Sequence, residues 1–342
     1  MSRRVVVEAP GRHRIAEYEP TEPQAGEARV RVVAAGMCGS DRELYAGTRP
    51  APFVRYPVVP GHEWSGVVEA VGDGVSSDLL GAAVVGEGFR ACLTCNSCRS
   101  GATNLCEAGY EETGFTLPGA FADHLVLPAR LLHTLAPGAD VGAAALLEPA
   151  ACVTAAVARA ELAPGQRAAV VGAGTLGMLA LQLLAAHSPA DLLAVDARPE
   201  RVHLARGMGA TAFRTPDQLG AGAARRGFDD FDVVVEAAGG AGSGRLAVEL
   251  ARRGGRVVLT GIPGSDVAAT IPVELLVTRQ LTVSGVFGAP SSAWTAAVRA
   301  FDTGLLDPAP LVTHELPLEA YGDAIALLAE GRPDVGKILL HP

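Results

Sequence analysis

The chain has 342 residues, 49% hydrophobic and 19% charged, with a formal net charge of −9 at neutral pH. That length is enough for two domains with separate cores, and an acidic balance without a basic cluster argues against nucleic acid or an anionic membrane surface as a partner. No stretch reads as long and apolar enough to span a bilayer. The N-terminal MSRRVVVEAP carries basic residues but no apolar segment and no small-residue cleavage site, so a cytoplasmic protein with reduced thiols is expected.

The first third is predicted to form short alternating strands, RRVVVEA, EARVRVVAAG, SGVVEAVG, GAAVVGEG and FADHLVLP, broken by PG, GDG and LPG turns. Such a run gives a small, barrel-like β domain. From about residue 141 helices and strands alternate. GAAALLEPAACVTAAVARA is predicted helical with an interruption at Pro149, RAAVVGAG a strand and TLGMLALQLLAAH a helix. DLLAVD, FDVVVEAAG, RVVLTG and LTVSGVFG follow as short apolar strands, the pattern of a parallel sheet covered on both faces. An amphipathic helix around Trp294, the strand VTHELP, a helix from Leu318 to Glu330 and a last strand KILLHP are expected to return to the β domain. The expected divisions are 1–148, with a lobe at 88–110, then 149–288 and 289–342; the Ala/Gly-rich stretch 219–227 reads as loose surface chain.

Four of the six cysteines fall in CLTCNSCRSGATNLC, where Cys92, Cys95, Cys98 and Cys106 are spaced C-x2-C-x2-C-x7-C. Thiolates this crowded are a poor disulfide framework and a good closed tetrahedral site for structural zinc. A ferredoxin-type iron–sulfur run needs its fourth cysteine earlier.

Gly172, Gly174 and Gly177 make G-x-G-x-x-G directly after the apolar strand and directly before a helix opened by Thr175 and Leu176. The first glycine permits a tight turn, the second lets backbone approach a pyrophosphate, and the third allows close helix–strand packing, while the helix N-terminus offers free N–H groups to the anion. Further on, the strand DLLAVD ends in Asp196, placed to accept from the adenosine ribose hydroxyls and so to favour NAD over NADP. Arg198 and Arg201 temper that preference, because a guanidinium pairs with a phosphate.

An open metal site is expected elsewhere. Cys38 lies in GMCGSD, and His62 and Glu63 lie in PGHEWSG; thiolate, imidazole and carboxylate are ligands of a catalytic zinc that keeps a position for water or substrate. Glu148, just before Pro149 and so expected outside helical geometry at a helix mouth, is a further candidate to ligate the metal or hold its water. Its alternative role is a helix-terminal charge that satisfies the dipole.

The CGSD, GHEWSG, four-cysteine and GAGTLG segments, in this order, resemble the zinc-containing medium-chain dehydrogenase/reductase family over essentially the whole chain. The resemblance implies an α/β protein in which a GroES-like β-barrel catalytic domain is split around a Rossmann doubly wound parallel sheet. It implies a catalytic zinc on Cys38 and His62 with Glu63 or Glu148 completing the shell, a structural zinc, and NAD or NADP. It also implies a nicotinamide carboxamide near Gly285, Val286 and Phe287, and Ser40 as first acceptor of the substrate proton. Many relatives carry histidine where this chain has Glu43, so the relay beyond Ser40 passes through Glu43, the nicotinamide ribose or water. Glu43 reads equally as a solvated surface carboxylate, and Cys152 as a buried structural cysteine.

Glu148 before proline resembles the polyol branch. Trp64 and the segment EAGYEETGFTLPGAFADHLVLP resemble sorbitol and threonine dehydrogenases, and more closely the 2-deoxy-scyllo-inosamine dehydrogenases of aminoglycoside antibiotic pathways. Oxidation of an aminocyclitol or cyclitol secondary alcohol to the ketone is therefore the leading expectation, with an open-chain polyol or L-threonine as the alternative substrate. A non-catalytic binding relative would be expected to lose the open metal site, and a zinc-independent enone reductase would lack the four-cysteine lobe. Relatives associate through the edge strand of the parallel sheet, here LTVSGVFG, which implies a homodimer or homotetramer.

Overall fold

The computed structural model describes residues 1–220, 230–264 and 269–342, so most of the Ala/Gly-rich stretch 219–227 lies outside the described residues. The chain divides into two units. The first comprises Met1–Glu148, Pro290–Asp302 and Pro308–Pro342; the second comprises Pro149–Ala289 and Thr303–Asp307. The short piece Thr303–Asp307, expected with the β domain, is held in the second unit, where Gln182 donates to the Asp307 carbonyl and accepts from its N–H.

The first unit begins with a hairpin of β1 (Ser2–Ala9) and β2 (Arg12–Tyr18), followed by β3 (Glu27–Gly36) and helix α1 (Gly39–Ala46). β4 (Glu63–Val71), β5 (Ala83–Gly86), the single turn α2 (Asn96–Arg99), β6 (His124–Pro128) and β7 (Leu132–Thr134) complete its N-terminal part. β3 is the organising strand: it buries Ala28, Val30 and Val32 on one side of each step while Arg29 and Arg31 stay more accessible, as a strand of period two must. It pairs antiparallel with both β4 and β6.

The second unit opens with α3 (Leu147–Ala160), which continues a 3-10 turn over Ala143–Leu146. Pro149 does not interrupt it. A proline in the first helical turn lacks only an N–H that has no partner there, so Glu148 is itself helical, against the sequence expectation. By length and composition Ala143–Ala160 is apolar enough to cross a membrane, which corrects the sequence reading; 67% of it is buried within the protein, as in a core helix. Then follow β8 (Arg167–Val171), α4 (Thr175–Ala185), β9 (Asp191–Val195), α5 (Val202–Gly207) and β10 (Ala212–Arg214). β11 (Phe231–Glu236), α6 (Ser243–Leu250), β12 (Ala251–Leu259), α7 (Val273–Arg279) and β13 (Thr282–Gly285) close the unit. The six strands are all parallel, in the order β10-β9-β8-β11-β12-β13. This is the doubly wound order, with its reversal point between β8 and β11.

The chain returns to the first unit with α8 (Ser291–Asp302), β14 (Val312–Pro317), α9 (Tyr321–Glu330) and β15 (Lys337–His341). β15 pairs with the end of β3, Leu339 opposite Gly36, so the C-terminal strand joins the seven-stranded sheet between β14 and β3.

Candidate active site and metal centres

Among the described residues, two groups of side chains bring their ligand atoms within 4.8 Å of one another: Cys38 with His62 and Glu63, and Cys92 with Cys95, Cys98 and Cys106. The first group lies where β3, β4 and β15 meet. Gly36 ends β3 opposite Glu63, and a side chain at Gly36 would collide with the Glu63 carboxylate. Cys38 is the N-cap of α1: its Sγ accepts from the Asp41 N–H, and the Asp41 carboxylate accepts from the Cys38 N–H at 2.9 Å. The CGSD segment is therefore a capping box built on a thiol.

The other Asp41 oxygen lies 3.6 Å from His62 Nδ1, and both atoms are buried without a hydrogen-bond partner. Burial presses the His62 pKa down, yet Asp41 and Cys38 override it and hold it well above the usual histidine value. With Nδ1 turned to a carboxylate, Nε2 is the free ligand nitrogen, and the Ser40 hydroxyl lies 3.4 Å from it. A half-buried thiol, an imidazole oriented by a carboxylate and a neighbouring hydroxyl fit a catalytic zinc.

Glu63 carries a feature that sequence reasoning missed. Both of its oxygens accept from Lys337 Nζ, at 2.6 Å to Oε1, and the same ammonium donates to the Met37 carbonyl at 3.0 Å. Burial opposes the charge on Lys337, but Glu63 and Cys38 keep its pKa above the ordinary lysine value. That Lys337 is the only lysine was visible in the sequence, but its pairing across β15 and β4 was not. Trp64, the next residue on β4, turns to the opposite face and is a core side chain, 2% exposed. Glu148 is partly exposed in the first turn of α3, and its charge is felt at Glu112 and Lys337. Glu43 is half-buried on α1, and no described hydrogen bond or ion pair reaches its carboxylate. Cys152 is half-buried on α3 rather than buried.

Glu112 was not singled out from the sequence. Its carboxylate is 7% exposed and receives Arg49 Nη2 at 3.2 Å, while the Arg49 guanidinium lies 3.7 Å over the Phe115 ring. Phe115 in turn packs on the His62 ring, with centroids 4.7 Å apart. Burial lifts the Glu112 pKa to about 7, with Glu148 and Asp41 adding to the rise and His62 and Arg49 opposing it.

In the four-cysteine lobe the backbone turns inward on sulfur. Cys92 Sγ accepts from the N–H groups of Thr94 and Cys95 and from the Thr94 hydroxyl, Cys95 Sγ from Cys98 and Glu107, and Cys106 Sγ from Cys92. The hydrogen bonds of Thr94 and Cys95 lower the Cys92 pKa to about 5, whereas burial and neighbouring thiols raise Cys98 to about 12. Four sulfurs that crowd and repel as thiolates, yet are wrapped by donors, fit a closed structural zinc.

The glycine-rich turn joins β8 to α4. Gly172 has φ +99°, and an added Cβ there would lie 2.6 Å from the Ala238 nitrogen. Thr175 and Leu176 form the first turn of α4 with Gly174 as N-cap, and Gly177 packs on the Gly172 carbonyl. Asp196, 8% exposed, accepts from the N–H of Ala173 at 2.7 Å and of Arg198 at 2.9 Å. Burial works against its charge, but those two amides and the Arg201 and Arg198 guanidiniums hold its pKa below the usual carboxylate value. Arg201 Nη1 also donates to the Ala173 carbonyl at 2.8 Å. Gly285 ends β13, the Val286 N–H bonds the Leu259 carbonyl, and Phe287 is 43% exposed. A glycine turn at the carboxyl end of a parallel strand, with an acid after the next strand, fits a nicotinamide dinucleotide.

The fold and these sites define a zinc-dependent dehydrogenase that uses a nicotinamide cofactor. Residues 24–137 match the alcohol dehydrogenase GroES-like domain, and residues 175–303 match the zinc-binding dehydrogenase domain. The chain is 30% identical to an erythritol/L-threitol dehydrogenase of Mycolicibacterium smegmatis over 99% of its own length and 97% of the relative's. It is 29% identical to an L-threonine 3-dehydrogenase of Bacillus subtilis, over 92% of this chain and 91% of that one. An alcohol dehydrogenase of Escherichia coli CFT073 solved with NADH superposes with a TM-score of 0.91 at 27% identity, covering 100% and 99% of the two chains. The protein belongs to the zinc-containing medium-chain alcohol dehydrogenase family.

Proposed function

We propose that the protein oxidises a ring secondary alcohol of an aminocyclitol or cyclitol, of the 2-deoxy-scyllo-inosamine kind, to the ketone, as a step in aminoglycoside antibiotic assembly. The observation that carries this reading is Glu148, a partly exposed carboxylate whose charge is felt at Lys337 and Glu112 near the candidate metal residues, whereas Asp41, Glu63 and Glu112 are buried and paired within the protein. Substrate hydroxyls and an ammonium are donors, and acids are the acceptors that recognise them. Oxidation of an open-chain polyol or of L-threonine is the second reading, favoured by what the named relatives act on.

Cys38 and His62 would hold the catalytic zinc, with Glu148 or Glu63 as the further carboxylate; Cys92, Cys95, Cys98 and Cys106 would hold the structural one. Zinc supplies Lewis acidity that lowers the pKa of an alcohol, and the nicotinamide accepts the hydride. Asp41 fixes the His62 ring through Nδ1, Lys337 neutralises Glu63, and the Ser40 hydroxyl beside Nε2 takes the departing proton and passes it on to Glu43, the cofactor ribose or water. In the second unit, the amides of the Gly172–Gly177 turn would hold the pyrophosphate and Asp196 the adenosine ribose, and the partly exposed Arg198 would leave NADP admissible. A homodimer or homotetramer would form through the edge strand β13; Val273 and Val277 of α7, which packs on β12, are 65% and 70% exposed.

The test is NADH formation by zinc-replete protein with 2-deoxy-scyllo-inosamine, myo-inositol, sorbitol and L-threonine. Turnover on the aminocyclitol supports the first reading; turnover confined to sorbitol or threonine removes it. Light scattering during gel filtration checks the assembly, and a monomer would refute it.

A further inference from the structure

Glu236 ends β11, one of the two strands that flank the reversal point of the parallel sheet, and its carboxylate is 2% exposed. Oε1 accepts from the N–H groups of Ala238 and Gly239, both at 2.8 Å, and Oε2 accepts from the N–H of Gly261 at 3.2 Å. Its main-chain carbonyl takes the Thr260 N–H and the Thr260 hydroxyl, each at 2.8 Å. One residue thus ties the loop after β11 to the turn after β12.

The sequence of that loop, Ala237-Ala238-Gly239-Gly240, has no side chain able to fix its own path. Its position is set from outside: the Ala237 N–H bonds the Val171 carbonyl at the end of β8, and Glu236 holds the next two amides. The neighbouring backbones are in contact. Gly172 has no room for a Cβ against Ala238, and Gly239 has none against Ile262, whose carbonyl would lie 2.8 Å away. The glycine turn that opens α4 therefore rests on a surface whose shape depends on the Glu236 carboxylate.

We infer that Glu236 is a positioning residue of the dinucleotide site: it fixes the backbone floor against which the cofactor is bound, and it takes up the amides of Ala238, Gly239 and Gly261 so that anion binding is left to the first turn of α4. The amides of that turn have no intrahelical partner, whereas those held by Glu236 are already satisfied by a buried acceptor. The inference rests on the family's dinucleotide chemistry and is independent of which alcohol is oxidised.

The test is NADH binding to the zinc-replete protein by nicotinamide fluorescence, without any alcohol. Glu236→Gln keeps a carbonyl oxygen for Ala238 and Gly239 but turns an NH2 group toward the Gly261 N–H; Glu236→Ala leaves the amides of Ala238 and Gly239 without their acceptor and Gly261 with only its 3.3 Å bond to the residue 236 main-chain carbonyl. The Kd for NADH should rise about tenfold in the glutamine variant and further in the alanine variant. The KM for NAD should rise with it, the KM for the alcohol should not, and the amides of Ala238, Gly239 and Gly261 should exchange hydrogen faster in the cofactor-free variant. Should the alanine variant fail to fold, the glutamine variant alone decides. A folded Glu236→Gln protein whose NADH Kd stays within about twofold of the parent overturns the inference, as does a loss of binding that merely follows the fraction unfolded.

Discussion

The two metal centres are built in opposite ways. The four-cysteine lobe draws every ligand from one short surface segment, and local N–H groups tune its sulfurs. The Cys38–His62–Glu63 group draws on residues that become neighbours because β3 pairs with β4, and two of its members are backed by a buried partner from another element: His62 by Asp41, Glu63 by Lys337. A closed site needs only spacing, but an open site must be held rigid by its surroundings, because it gives up a ligand position to substrate.

The sharpest break of that comparison is chemical. Cys38→Ser should reduce activity to background while zinc falls from about two to about one per chain, since the lobe is unaffected. Cys95→Ser should lose the other zinc and retain measurable turnover. Metal analysis with an activity assay checks both, and loss of both metals in either variant would show that the sites are not independent.

Next in size is the buried ion pair. Lys337→Met leaves Glu63 charged and unpaired and should cost about 3–5 kcal/mol of stability. The double variant Glu63→Gln with Lys337→Met should recover much of that, because both charges are gone. Denaturant melts of the two variants decide it; equal losses would mean that the charge pairing is not what matters.

Glu112 extends the comparison to pH. Its folded pKa of about 7 lies above the ordinary carboxyl value of 4.5, so between those limits the folded state binds more proton than the unfolded one. The favourable contribution is complete below the unfolded value and is lost as pH rises through about 7, a swing on the order of 3 kcal/mol. Glu112→Gln should flatten the dependence of melting temperature on pH between 5 and 8, about the limits of this window. An unchanged slope would rule Glu112 out as its source.

The smallest effect is expected of Asp41→Asn, which keeps the shape of the capping box but weakens the hold on His62 Nδ1. Metal affinity at that site should fall about 10–100-fold with the lobe's zinc retained. Competition with a chelator measures it, and parental affinity would show that the ring is oriented by packing on Phe115 instead.

What the residues alone decided was whatever is local. The C-x2-C-x2-C-x7-C run, the glycine turn between an apolar strand and a helix, and the alternation of β3 are each set by a few consecutive residues, so motif and period suffice to read them. Pro149 was misread because a proline breaks a helix interior but is at ease in a first turn, and the difference depends on where the preceding 3-10 turn stops. Only the tertiary structure decided that Lys337 answers Glu63, that Glu112 lies behind Phe115 and His62, and that Glu236 gathers amides from two separate loops. Buried charges and amides find partners by proximity in space, and the sequence carries no periodic signal of a partner far along the chain.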